Sequence, residues 1–220
     1  MADEKKKKKK GGEPTEAQKA AMEKNPPRLK QLYDDSVRTK VHEKFGVGNR
    51  NAQPKLEKIV INVNMGRFLD GTKVPPNVKN TVLDTLTSIS GQKPVMVAAK
   101  KSVSNFKVRE GYETAAMVTL RRERMWHFLD RMINLAAPRI KDFRGLPPKA
   151  FDRQGSYSFG LTEQGVFPEI DMAAVTFTHG MNINLTFSNS TPEMSRFVLD
   201  ELGFPFRKPE PKKKKAEKPA

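Results

Sequence analysis

Apolar residues recur along this chain in two rhythms. Leu29, Leu32, Tyr33, Val37, Val41 and Phe45 fall at helical spacing between Pro27 and Gly46, which predicts a helix with start and stop signals. Val78, Val82, Leu86 and Ile89 before Gly91 predict a second, and Met125, Phe128, Leu129, Met132, Ile133 and Ala136 a third, ending near Pro138. Thr191 and Pro192 read as a cap and first-turn proline ahead of a last helix through Met194, Phe197, Val198 and Leu202. Three other segments alternate instead. Ile59, Ile61 and Val63 alternate with Lys58, Val60 and Asn62; Ala116, Val118 and Leu120 with Met117, Thr119 and Arg121; Met181, Ile183, Leu185 and Phe187 with Asn182, Asn184, Thr186 and Ser188. Period two marks half-buried strands.

Clean alternation means a sheet covered on one face only. The fold class expected is therefore α+β, an antiparallel sheet with helices packed mainly on one face. The other face is expected to carry Lys58, Asn62, Thr119, Arg121, Asn182, Asn184 and Thr186, donors and acceptors without large apolar groups. Such a face suits RNA, whose backbone, 2′-hydroxyls and base edges need those partners. Any antiparallel sheet also has one wet face, so the pattern alone leaves both readings open. Without stacking aromatics, shape and backbone contacts fit this face better than base stacking.

Charge sharpens the choice of partner. The 220 residues hold 41 Lys+Arg against 25 Asp+Glu, a formal net charge of +16. That excess points to a polyanion, either nucleic acid or an anionic membrane surface. Composition divides the chain into a Lys-rich N-terminal tail, 1–24, a body, 25–208, and a Lys/Pro-rich C-terminal tail, 209–220. The tails lack the apolar groups that offset ordering entropy, so they are expected to be disordered. Each carries a net +3, which leaves +10 on the body. Within the body, residues 93–144 are net +7 and residues 145–206 net −4. The acidic part either meets a basic protein or is a solvated surface. The N-terminus has no apolar signal region, and no apolar run approaches the roughly 20 residues that span a bilayer. A cytoplasmic protein without membrane contact is expected.

The densest basic segment is Lys100-Lys101-Ser102-Val103-Ser104-Asn105-Phe106-Lys107-Val108-Arg109. Its cations suit phosphates, its hydroxyls add neutral hydrogen bonds, and Phe106 can pack on a sugar or base. The alternative is an ordinary solvated hairpin with Phe106 tucked into the core.

Catalysis is not expected. There is no cysteine for a thiolate site, and His42, His127 and His179 lie far apart, none with a second histidine one turn away. Gly46-Val47-Gly48 follows a helix rather than a strand, which makes it a helix stop rather than a phosphate loop. The adjacent carboxylates Asp34-Asp35 and Asp200-Glu201 point to different sides of a helix and form no acid/base pair. No cofactor or metal is expected. Asn184-Leu185-Thr186 and Asn189-Ser190-Thr191 match a glycosylation pattern by chance, given no signal peptide. The rival binding class is a nonspecific nucleic-acid or membrane binder driven by the Lys tails.

Several motifs carry a resemblance. Glu57-Lys58-Ile59-Val60-Ile61-Asn62, Ile89-Ser90-Gly91-Gln92-Lys93-Pro94, Lys101-Ser102-Val103 with Phe106-Lys107, and Val118-Thr119-Leu120-Arg121 occur in order. Glu123-Arg124-Met125-Trp126, Pro138-Arg139-Ile140 with Asp142-Phe143-Arg144-Gly145-Leu146, Phe167-Pro168-Glu169-Ile170 and Phe204-Pro205-Phe206-Arg207-Lys208 follow. Over about residues 27–208 the chain resembles the bacterial form of the universal large-subunit ribosomal protein L-five family. The resemblance implies a place in the central protuberance, on 5S ribosomal RNA and touching 23S ribosomal RNA, among neighbouring ribosomal proteins. It implies 5S contacts at Lys58, Asn62, Gln92 and Thr119, with Lys93 and Arg121 beside them. It implies a loop reaching P-site transfer RNA, matching residues 100–109, with Lys100, Lys101, Ser102, Phe106, Lys107 and Arg109 as contacts. It also implies a bridge from residues 145–165 to a small-subunit head protein of the S-thirteen family.

The chain departs from the family's pattern in places. Arg122 stands where glycine usually follows Leu-Arg, which alters the contact geometry expected near Arg121. Val63-Asn64-Met65-Gly66-Arg67 replaces the usual Gly-rich turn, and both Lys-rich tails exceed those of a typical bacterial member.

Overall fold

The computed structural model describes residues 26–71, 73–173, 175 and 177–207. The expected tail disorder lies outside these residues. Five strands form one antiparallel sheet: β1 (Lys55–Asn64), β2 (Val95–Ala98), β3 (Glu113–Leu120), β4 (Tyr157–Leu161) and β5 (Met181–Ser188). Their spatial order is β2-β3-β1-β5-β4, so β1 is central. The three predicted strands are its middle, and β2 and β4 are the edges that the alternation did not reveal.

The helical segments are α1 (Arg28–Leu32), α2 (Arg38–Phe45), α3 (Pro76–Ser90), α4 (Arg122–Arg131) and α5 (Pro192–Glu201). A π-helical turn, Tyr33–Val37, joins α1 to α2, and a second, Met132–Ala136, extends α4. The expected stops hold: Gly46 and Gly91 end α2 and α3 at φ 70° and 63°, in the left-handed conformation glycine allows without strain. Thr191 caps α5, its side chain accepting from the Met194 amide at 3.4 Å.

The core lies between the helices and one sheet face. Ile59, Ile61 and Val63 from β1, Ala116, Val118 and Leu120 from β3, and Met181, Ile183, Leu185 and Phe187 from β5 are all buried. Val82, Leu86 and Ile89 of α3 and Met125, Phe128 and Leu129 of α4 meet them. Each of the larger side chains, the Val, Ile, Leu, Phe and Met residues, contributes about 1.5–3 kcal/mol by leaving water. A second apolar centre forms at the β4 edge, where Phe151, Tyr157, Phe159, Phe204 and Phe206 make a chain of ring contacts. Burial pushes the Tyr157 phenol pKa up, and its hydroxyl donates to the Pro147 carbonyl at 2.9 Å. The chain end is stitched in by Leu146 N–H donating to Pro205 O and Arg207 N–H to Leu146 O, each at 2.9 Å. A Cβ on Gly145 would lie 2.6 Å from the Arg207 backbone, so only glycine fits there.

The stretch 145–165, the bridge region that the resemblance implies, is ordered in part within the sheet. It contains β4, and Gly155 within it is buried against α5, a Cβ there meeting Ser195 Oγ at 2.7 Å. After β1 the chain does turn in its own way: Gly66 N–H donates to Asn64 Oδ1 at 2.8 Å, and a short 3₁₀ turn, Gly66–Phe68, follows.

Candidate nucleic-acid interface

Strand pairing fixes what shares the open face. Asn62 sits between Met117 of β3 and Asn182 of β5, and Val60 between Thr119 and Asn184. Lys58 faces Thr186, while Gly160 and Ser158 of β4 continue the two rows beyond β5. All of these face away from the helices, because their strand neighbours are the buried apolar residues. Lys58, Asn62 and Thr119, separated by up to 61 residues in sequence, are thus brought together, each half-buried.

The open face is not uniformly polar, however. Val95 of β2 pairs with Met117, and Val97 with Ala115, so the β2–β3 side is apolar; Val95 is 65% exposed. The expectation of a face without large apolar groups is corrected here. Alternation says which residues share a face, but strand order decides which stand side by side.

The remaining candidates of this group gather at one end. Gln92 follows α3, and its Nε2 donates a long bond, 3.5 Å, to the Thr119 carbonyl. The Ser90 hydroxyl holds the turn, donating to Gln92 O at 2.9 Å. Lys93 beside it is exposed. Arg121 is the exposed residue that heads α4, one step past β3. The β1–β3 pairing ends with Ile59 opposite Leu120, the residue just before Arg121. Arg122 follows at φ 55°, a left-handed conformation. A glycine there is unstrained; an arginine is not. Arg122 is the position where the resemblance leads one to expect glycine, and the left-handed backbone there is one that glycine adopts without strain.

The basic segment forms an excursion between β2 and β3 at the other end of those strands. Ala99 and Gly111 close its base through Ala99 N–H to Tyr112 O, 2.8 Å, and Gly111 N–H to Ala99 O, 3.0 Å. Val103 and Val108 exchange two bonds further out, at 2.9 and 3.1 Å. A 3₁₀ turn, Ser104–Phe106, and Lys107 at φ 53° make the tip. Lys100, Lys101, Ser102, Phe106, Lys107 and Arg109 are all exposed, and Phe106 is 73% exposed rather than tucked into the core. Ser102 Oγ accepts from the Glu110 amide at 2.9 Å. Among the described residues, no ion pair engages its four cations. The eight residues of β3 separate this tip from the Gln92–Arg121 end by on the order of 25 Å.

No grouping of three or more metal-ligating side chains exists among the described residues, and none of their helices is long and apolar enough to cross a membrane. His42 and His127 are exposed. His179 is buried at 4% exposure, and burial pushes its pKa below the ordinary value. Its backbone N–H donates to Gln164 Oε1 at 2.7 Å, and Gln164 Nε2 donates to Phe177 O at 2.9 Å. This buried amide clamp orders the approach to β5. Nothing in the local sequence marks it, because Gln164 and His179 become neighbours only through the fold.

Comparison with known proteins gives a consistent match. Residues 49–109 match the family described as Ribosomal protein L5, and residues 113–206 match the C-terminal region of the same ribosomal family. The protein called large ribosomal subunit protein uL5 in Picosynechococcus sp. is 46% identical over 180 residues, 82% of this chain and 97% of that relative. Its namesake in Kocuria rhizophila is 45% identical over 181 residues, covering 82% of this chain and 94% of its own. The Geobacter sulfurreducens protein of that name is 43% identical over 180 residues, with 82% and 98% covered. With both family regions in register and nearly the full length of each relative aligned, this chain belongs to the ribosomal protein L5 family, uL5, of the large ribosomal subunit.

Proposed function

We propose that this protein binds 5S ribosomal RNA through the open sheet face, and P-site transfer RNA through the loop between β2 and β3. The coarser role follows from family membership: it is a structural, non-catalytic constituent of the large ribosomal subunit, on the ribosome in the cytoplasm. The observation that carries the finer reading is the single open surface shared by Lys58, Asn62 and Thr119, with Gln92 bonded to the Thr119 carbonyl. Amides and hydroxyls there offer donors and acceptors to a folded RNA, and Lys58, Lys93 and Arg121 offer charge to its phosphates. The apolar Val95–Met117 side supplies a flat surface for sugar faces beside them. The same placement in the central protuberance brings 23S ribosomal RNA and neighbouring ribosomal proteins into reach. Residues 145–165, which open the net-acidic segment 145–206, are the surface proposed to meet a basic small-subunit head protein of the S-thirteen family.

The test is equilibrium binding to 5S ribosomal RNA and to an unrelated RNA of equal length at physiological salt. Asn62→Ala with Thr119→Ala is expected to weaken 5S binding about tenfold and the other RNA far less. Equal losses for the two RNAs mean that recognition lies elsewhere. Removal of residues 1–24 and 209–220 is expected to leave the 5S preference intact; its disappearance assigns binding to the tails.

A further inference from the structure

One concave surface at the edge of the proposed sheet-face site, sharing Arg121 with it, gathers charge that the protein does not neutralise. A cleft of about 380 Å³ opens at the end of the sheet, between α1, the first residues of β1 and the start of α4. Lys30, Lys55, Arg121 and Arg122 line it. Among the described residues, none of these four cations takes part in an ion pair. Glu57 and Glu123 also line the cleft, yet neither closes onto a cation, so the lining keeps a positive excess. Met125 and Trp126 supply an apolar wall, and Trp126 is held by Tyr33, ring centres 5.6 Å apart.

Two features join this cleft to the sheet face. Arg121 belongs to both, since it lines the cleft and extends the strand that presents Thr119. Lys55 pairs with Ser188 just past the irregularity between Leu56 and Lys58, where the open face ends. An RNA strand leaving the face at Lys58 and Thr119 therefore runs directly into it. Arg122 adds a third observation. It places a guanidinium in this cleft while its backbone sits at φ 55°, a conformation that glycine alone adopts freely.

We propose that the cleft binds the sugar–phosphate backbone of the RNA that lies on the sheet, with Lys30, Lys55 and Arg122 as phosphate contacts; the inference rests on the sheet-face reading. The division of labour is chemical. Amides and hydroxyls on the face read the shape of the RNA, while cations in the cleft fix where its backbone runs and carry no sequence preference.

The experiment uses the full chain and measures the dissociation constant for 5S ribosomal RNA against potassium chloride concentration, alongside thermal unfolding. Lys30→Gln/Lys55→Gln/Arg122→Gly is expected to flatten the log–log salt dependence by about 2 to 3, at roughly 0.7–0.9 per lost phosphate contact. The ratio of affinities for 5S RNA and an unrelated RNA of equal length is expected to stay as in the wild type. Arg122→Gly alone is expected to raise the unfolding temperature and still flatten the slope by about one. That pairing, a more stable protein with fewer phosphate contacts, is not produced by a residue that only supports the fold. An unchanged slope in the triple variant overturns the cleft, provided the wild type prefers 5S RNA. Should the triple variant fail to fold, an unchanged slope for Arg122→Gly overturns it instead. A wild type without 5S preference sinks the sheet-face reading, whatever the cleft variants do.

Discussion

The open sheet face and the β2–β3 loop present similar chemistry on opposite mechanical terms. Asn62 and Thr119 belong to strands paired on both sides, and each projects from a backbone whose alternate residues, Ile61, Val63, Val118 and Leu120, are buried. Their positions are set by the core. Lys100, Lys107 and Arg109 stand on an excursion held at its base and by the Val103–Val108 pair, with exposed side chains throughout. A rigid array reads a fixed shape; a projecting cationic finger follows a partner that comes and goes. Recognition and reach are thus separated along β2 and β3, and the two can be disabled independently.

The largest expected effect comes from breaking the support of the face. Ile61→Ala removes a fully buried side chain beneath Asn62 and is expected to cost about 2–5 kcal/mol. Urea unfolding reads the loss, and 5S binding falls with the folded fraction. The next effect belongs to the loop. Replacing Lys100, Lys101, Lys107 and Arg109 with alanine is expected to leave unfolding within about 0.5 kcal/mol, because all four are exposed. Ribosomes carrying that variant are expected to hold less P-site transfer RNA while incorporating 5S RNA normally. Lost incorporation with normal occupancy reverses the assignment.

A smaller effect is expected from pH. Burial lowers the His179 pKa from 6.5, so below that pH the unfolded chain binds the proton more readily than the folded one. The stability from the neutral, buried ring is complete above pH 6.5 and declines as pH falls towards the folded-state value. The wild-type urea midpoint is expected to drop between pH 7 and pH 5 more steeply than that of His179→Leu, whose Gln164 contact, made by the backbone amide, is retained. Parallel profiles remove His179 from the account. The smallest change is Phe106→Ala, expected to alter stability by less than about 0.5 kcal/mol because the ring is 73% exposed. A larger loss means that the loop leans on the body and the two regions are not separable.

How much of this was written in the sequence follows from where each signal is local. β1, β3 and β5 alternate because one face of each is buried and the other wet, and alternation needs no knowledge of neighbours. β2 has only four residues, none of them fully buried, so its Val95-Met96-Val97-Ala98 shows no contrast between faces. β4 does alternate, with Tyr157, Phe159 and Leu161 inward, but glycines and serines around it read as a connection. The π-turns are invisible because helical spacing runs straight through them. That Lys58, Asn62 and Thr119 lie on the open face was legible from strand pattern; Arg121, read as a strand residue, instead heads α4 one step past β3, and Gln92 and Lys93 were named only through the family resemblance. The cleft was not: Lys30, Lys55 and Arg122 come from three distant segments, and only sheet closure makes them neighbours.

The late arrival of two elements sets an order for how the protein becomes competent. Central β1 is made early, but its β5 partner begins at Met181, and the ring cluster around Tyr157 waits for Phe204 and Phe206. During vectorial synthesis the half-sheet β2-β3-β1 therefore has β1 as a bare edge, in addition to β2, until almost the whole body has emerged. A chain interrupted before residue 204 lacks the Leu146–Phe206 bridge and the Phe204 and Phe206 rings that close the cluster around Tyr157.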